Sequence, residues 1–123
     1  MVIVKNIDAF SLCEHHIALM YDMKVSVAYI PRKKLLGLSK IARLVDMVCK
    51  RLQLQEKIGK DVAQIMNILS ESEDVAVHIK AKHSCMTARG IKNVPAETVT
   101  TYFSGIFQKN DSMKIMFLNN LVR

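Results

Sequence analysis

A chain of 123 residues is the size of one compact domain, and with half of its residues hydrophobic and 24% charged its composition argues against disorder. No apolar run approaches the roughly 20 residues that cross a bilayer, and Lys5 and Asp8 interrupt the first ten residues, so these do not read as a signal peptide. Three cysteines are too few for a disulfide-stapled secreted domain, and a reducing cytoplasm is the expected setting.

Eighteen Lys and Arg against eleven Asp and Glu leave a formal charge of +7. Nucleic acid, an anionic membrane and a highly phosphorylated small substrate all suit such a surface. Aromatic residues are 6% of the chain and Trp is absent, so base-stacking platforms are poorly supplied. The lysines are also spread along the chain rather than blocked, which weakens the nucleic-acid reading further.

Val2–Phe10 reads as a first strand. Met23–Ile30 reads as a second, with Met23, Val25, Val27 and Tyr29 alternating against Lys24, Ser26 and Ala28. Pro31 ends it, Arg32–Leu36 forms a basic connection, and Gly37 precedes a helix. Ile41, Leu44, Val45, Val48 and Leu52 make one helical stripe, and Ser39 is placed to cap its start. Leu54, Ile58, Val62, Ile65 and Leu69 mark a second helix. From Asp74, alternation puts Val75, Val77, Ile79 and Ala81 on one face and Ala76, His78, Lys80 and Lys82 on the other, with His78 expected to be exposed. A last strand covers about Glu97–Phe107, and Asp111 or Ser112 is placed to cap a terminal helix through Leu121. The order is ββααββ with a helical tail, an α+β layout with an antiparallel four-stranded sheet and two helices on one face.

Two short segments concentrate metal ligands. Cys13 and His16, in Ser11-Leu12-Cys13-Glu14-His15-His16, have the Cys-x-x-His spacing that lets a thiolate and an imidazole bite one ion. His83-Ser84-Cys85-Met86 ends the alternating strand, and a period of two places His83 and Cys85 on the face of Val77 and Ile79. Cys13, His16 and Cys85 would give a zinc ion three ligands and leave one position open, the catalytic rather than the structural arrangement. Two alternatives stand beside this: Cys85 as an ordinary core thiol, and a Cys13–Cys85 disulfide. Cys49, between Val48 and Leu52, reads as core.

Three further features suit a nucleotide. Lys40 in the first turn of the first helix, with Arg43 one turn on, makes an anion pocket where free N–H groups already favour phosphate. Glu56, in Gln53-Leu54-Gln55-Glu56, offers a carboxylate that can accept two N–H bonds from one planar edge, as guanine presents. Arg89, in Thr87-Ala88-Arg89-Gly90, is a second phosphate candidate. Each also has a plain reading as solvated charge.

Together Ser11–His16, Tyr29-Ile30-Pro31, Gly37-Leu38-Ser39-Lys40-Ile41, Arg43, Gln53–Glu56, His83–Met86 and Arg89-Gly90 resemble the GTP cyclohydrolase I family from about Val2 to Phe107. The resemblance implies that residues 1–123 form one catalytic domain with the tunnelling fold (T-fold), in which subunits extend one another's sheets into a barrel. It implies hydrolysis of GTP to 7,8-dihydroneopterin triphosphate and formate, the entry to pterin, tetrahydrofolate and one-carbon metabolism. By the same analogy Cys13, His16 and Cys85 hold Zn2+, and His15 and His83 move protons. Ser39 serves the sugar rearrangement, Glu56 with Gln55 anchors guanine, and Lys40, Arg43 and Arg89 grip the triphosphate.

Departures from the family pattern are Ile17–Asp22, where a Pro-Phe and then a Gly are usual, and Ser26 in place of a common His. Family members typically carry N-terminal helices and a further basic phosphate contact ahead of the first strand, so this chain is expected to be a short form, either naturally minimal or truncated, with weaker triphosphate binding. A homo-oligomer is expected, a decamer of two pentamers by resemblance with a pentamer as the lower-order form. Open sheet edges give a physical motive for it, and Glu56 and the metal are expected on different subunits. Neither nucleic acid nor membrane is an expected partner. The alternative function is a metal-binding, weakly active or inactive relative that serves as a binding partner.

Overall fold

A computed structural model describes residues 1–88 and 92–122. Strand β1 (Val2–Cys13) and strand β2 (Ala18–Tyr29) form one long antiparallel hairpin, paired from Val2↔Tyr29 to Cys13↔Ala18. Both strands run further than the alternation of side chains suggests. The reason is one extra residue on each strand, in β1 between Val4 and Ile7 and in β2 between Met20 and Met23, which breaks the period of two while the ladder continues. Asn6 (φ 61°) and Asp22 (φ 49°) sit within such register shifts, in a left-handed conformation that Asn and Asp tolerate better than most side chains.

Helix α1 (Leu38–Cys49) returns along the hairpin. Its boundary residue is Gly37, with extended backbone, so Ser39 lies inside the first turn and makes no capping bond. Leu52, expected on the helical stripe, instead lies in a two-residue strand β3 (Leu52–Gln53) that runs parallel to Leu12–Cys13. Helix α2 (Gln55–Ser70) follows, then strand β4 (Val75–His83), antiparallel to β2. A helical turn α3 (Ser84–Thr87) follows β4 directly. Strand β5 (Thr98–Phe103) completes the sheet and is shorter than expected. Gly105 at φ 61° breaks the strand, and Phe107 belongs to a short helix α4 (Ile106–Lys109). Helix α5 (Asp111–Leu121) is capped by Asn110, whose side chain accepts the Met113 N–H at 3.2 Å, rather than by Asp111 or Ser112.

The sheet is therefore five-stranded and mixed, in the order β3-β1-β2-β4-β5, not four-stranded and antiparallel. One face carries Met23, Val25, Val27, Tyr29, Val75, Val77, Ile79 and Ala81 against Ile41, Leu44, Val45 and Val48 of α1 and Ile58, Val62, Ala63 and Met66 of α2. This is the main core, and Cys49 is buried in it. Burial pushes the Cys49 thiol up to about 11, with Asp46 adding to the shift. The helical tail covers the other face, where Phe107 and Phe117 pack on Ala28 and Ala76. Helices thus flank both faces. No helix among the described residues is long and apolar enough to cross a membrane.

Two polar ties fix the connections. The Tyr29 hydroxyl accepts the Leu36 N–H at 2.9 Å and holds the basic connection to the sheet. Asp74 accepts the Ile106 N–H at 2.8 Å and pairs with Arg32 at 2.7 Å. Burial alone would raise the Asp74 carboxyl. The Ile106 N–H and the Arg32 guanidinium outweigh burial and hold it below the ordinary value.

Candidate active site

Chain direction decides which residues can meet. β1 ends at Cys13 and β4 ends at His83, and the register brings both ends together, because Met20 of β2 pairs with Ser11 on one side and His83 on the other. The turn Glu14–Ile17 and the turn α3 therefore leave the same end of the sheet. Glu14 N–H bonds to Gln53 O at 2.9 Å, and this ties the start of the first turn to β3. Cys13 is buried against the main core. His15 and His16 are exposed, with their rings edge to face 6.2 Å apart.

Cys85 is half-buried within α3, so the period of two that holds through His83 stops before it. The Tyr21 and Thr87 hydroxyls bond at 2.7 Å and pin α3 to β2. No spacing rule in the sequence points to that pair, since the two residues belong to separate patterns. All three cysteines are free, so the Cys13–Cys85 disulfide is not formed.

The start of α2 reaches the same end. His83 Nε2 lies 2.6 Å from Gln55 Oε1. Burial lowers the His83 imidazole below its ordinary value, and the charge of Glu56 acts against that shift. Glu56 is exposed in the first turn of α2. It shares this end with His83 of its own chain, so the expected division between Glu56 and the metal residues is not where the chain separates them.

Ser39, Lys40 and Arg43 lie elsewhere. All three are exposed. Lys40 and Arg43 line a groove with Leu44, Met47, Ile65 and Leu69. Ile65 and Leu69 are ten and fourteen residues along α2 from Gln55, which at 1.5 Å per residue is about 15–21 Å. One chain thus carries the thiol, imidazole and carboxylate groups at one end and Lys40 and Arg43 at the other. Arg89 lies outside the described residues.

His78 is half-buried rather than exposed. It lines a pocket with Lys24, Ser26, Lys80 and Leu118, because α5 covers that face, and burial lowers its imidazole, with the charge of Lys80 adding to the shift.

Two thiols and an imidazole are the donor chemistry a zinc-class ion takes, and the register carries Cys13, His16 and Cys85 to one end of the sheet. β2 lies between β1 and β4, so two strand spacings, about 10 Å, separate the backbones of those outer strands. Among the described residues no set of three His, Cys, Asp or Glu side chains is gathered closely enough to hold an ion. The donors fit the metal by type and placement, and their side chains are not drawn together.

An α+β domain with a mixed five-stranded sheet and helices on both faces is a fold that a known structure shares. The crystal structure of the archaeosine synthase QueF-Like in the apo form superposes with a TM-score of 0.67 at 24% identity, over 85% of this chain and 92% of that one, which shows the fold. The model of the GTP cyclohydrolase I family matches residues 1–122, and the chain belongs to that family.

Relatives named GTP cyclohydrolase 1 include that of Ruminiclostridium cellulolyticum, 60% identical over 113 residues, which are 92% of this chain and 58% of the relative. Those of Clostridium botulinum and Clostridium acetobutylicum are 57% and 58% identical over 120 residues, with 96% of this chain matched and 61% and 62% of theirs. The chain spans about three fifths of the length of these relatives.

Proposed function

We propose that this chain supplies the catalytic domain of a GTP cyclohydrolase I, which converts GTP and water to 7,8-dihydroneopterin triphosphate and formate. The observation that carries the reading is the meeting of Gln55-Glu56, His83 and the Cys13–His16 turn at one end of the sheet. It brings a base-recognising carboxylate, an imidazole and soft metal ligands within one neighbourhood.

Cys13, His16 and Cys85 would hold Zn2+, which when bound supplies Lewis-acid activation of water near neutral pH. His83 is lowered by burial, so its ring is largely neutral at pH 7 and able to accept a proton. His15, on the exposed turn, is placed to give or take another. Glu56 accepts the paired N–H groups of guanine's edge.

Ser39, Lys40 and Arg43 serve the ribose and triphosphate of a substrate bound on another copy of the chain. Their distance from Glu56 within one chain supports a shared site and hence a homo-oligomer, with a decamer or pentamer as its order. The sheet ends in the two-residue β3 on one side and in β5 on the other, and these edges are the surfaces through which sheets would join. Ser39 makes no capping bond, so its hydroxyl is available for substrate. A cytoplasmic setting and a role in pterin and folate synthesis accompany this reading.

The test is incubation of the purified chain with GTP, with formate and the oxidised fluorescent pterin measured beside zinc content. Appearance of both products in proportion supports the function. A chain that binds zinc and releases neither product is the metal-binding relative without turnover.

A further inference from the structure

Gln55 is expected from the family resemblance to help anchor guanine, but its amide turns inward and its nitrogen is already engaged by the sheet. It is buried, and its amide is held from two strands. Nε2 donates to Thr98 O at 2.9 Å and lies 3.2 Å from Thr100 Oγ1 on β5 and 3.3 Å from Ile79 O on β4. Backbone carbonyls only accept hydrogen bonds. Two of them on one side of the amide fix which end is nitrogen, so Oε1 must be the atom 2.6 Å from His83 Nε2. A carboxamide oxygen also only accepts. The hydrogen between the two therefore belongs to the ring.

We propose that Gln55 is a positioning residue that holds the neutral His83 imidazole in its Nε2–H tautomer and leaves Nδ1 as the nitrogen with the free lone pair. The consequence for turnover rests on the function proposed above; the tautomer does not. A neutral imidazole in water exchanges its one hydrogen between two nitrogens. A proton-handling histidine needs the lone pair on the side that faces the reaction. Gln55 sets that side without touching substrate, as a carboxylate or carbonyl does for many ligating or catalytic histidines. Anchorage to both β4 and β5 keeps the amide from flipping.

The first measurement uses the native chain labelled with 15N-histidine, with His83 assigned by the resonances missing from His83→Phe. At one neutral pH the imidazole correlation spectrum should show a protonated Nε2 and an unprotonated Nδ1. A proton on Nδ1 overturns the proposal. Gln55→Met keeps the apolar stem and removes the amide, and should turn the pattern into a mixture of both tautomers. Gln55→Glu keeps an acceptor toward Nε2 and should restore the native pattern despite the lost donations to Thr98 and Ile79. An unchanged tautomer in Gln55→Met also overturns the proposal.

With GTP, Gln55→Met should lower kcat by about tenfold or more, since proton transfer contributes about 10²–10⁴-fold, while KM stays within about twofold. A raised KM with unchanged kcat would make Gln55 a substrate contact instead. Absence of turnover in the native chain refutes the proposed function and leaves the tautomer to be decided by the spectrum. Should Gln55→Met fail to fold, the native spectrum and Gln55→Glu still decide it.

Discussion

Two inactive variants of this chain should restore one another. In the first, Lys40→Ala with Arg43→Ala removes the anion-binding groups and leaves the Glu56–His83 end intact. In the second, His83→Ala does the reverse. The groove that holds Lys40 and Arg43 lies beside Ile65 and Leu69, about 15–21 Å along α2 from Gln55. That span exceeds the reach of a lysine or arginine side chain, so within one chain neither Lys40 nor Arg43 meets the Glu56–His83 end.

If each site combines the two ends of neighbouring copies, equal mixing pairs an intact end with an intact end in about one quarter of the sites. The mixed oligomer, formed by joint denaturation and refolding, should then recover about 25% of native turnover. Each variant refolded alone should stay near zero. The assay is fluorescence of the oxidised pterin, with mass spectrometry to confirm that mixed oligomers formed. Mixed oligomers that show no recovery would place both sets of groups on one chain and refute the reasoning.

Other perturbations test separate parts of the molecule. Glu56→Ala should weaken GTP binding by about ten- to 150-fold, from the roughly 1.5–3 kcal/mol that hydrogen bonds to a charged group contribute, with zinc content unchanged; native affinity that is equal for ATP and GTP would contradict this. Cys85→Ser should lose zinc and turnover together, whereas His15→Ala should keep zinc and lose turnover; metal analysis of the two proteins separates ligand from proton carrier. Gly105→Ala should destabilise the fold by at least about 1–3 kcal/mol, because its Cβ would sit 2.5 Å from Glu73 O and against the Asp74 carboxylate at a φ of 61°; urea unfolding measures it. The Asp74 carboxyl titrates below its ordinary 3.8 in the folded chain, so its contribution is complete above that pH and is lost as pH falls through the depressed value. Asp74→Asn should flatten that part of the stability profile, and an unchanged acid limb would show that Arg32 and Ile106 do not hold the charge.

Most of this architecture was legible where side-chain periodicity is undisturbed. Val75 to Ala81 alternate through β4, and the stripe from Ile41 to Val48 marks α1, because each of these elements has one face in a single core. Legibility failed where an irregularity or a short pairing intervened. The bulges at Asn6 in β1 and Asp22 in β2 hid the length of the hairpin, and β3 is only two residues long, below any period that hydrophobicity can show. His78 read as exposed because its strand neighbours are lysines; the cover comes from α5, forty residues later in the chain.

At the candidate site, residue types and spacing pointed to Cys13, His16 and Cys85 as possible ligands, and to Glu56. The register places these at one sheet end. Spacing carries no direction, so it could not show that Lys40 and Arg43 lie at the far end of α2. Nor could it show that Gln55 turns inward to His83 while its neighbour Glu56 stays exposed. Tyr21 and Thr87 meet only because β2 pairs with β4, a contact with no local signature.

The buried sulfur of Cys49 has a practical consequence. A thiol held at about 11 is ionised at pH 7 to only about one part in ten thousand, and the thiolate is the form that alkylates or oxidises. Maleimide or iodoacetamide should therefore pass over Cys49 while the chain is folded. Any sulfur that reacts reports on Cys13 or Cys85, so the number of modified thiols before and after chelation counts the sulfurs that a bound metal protects.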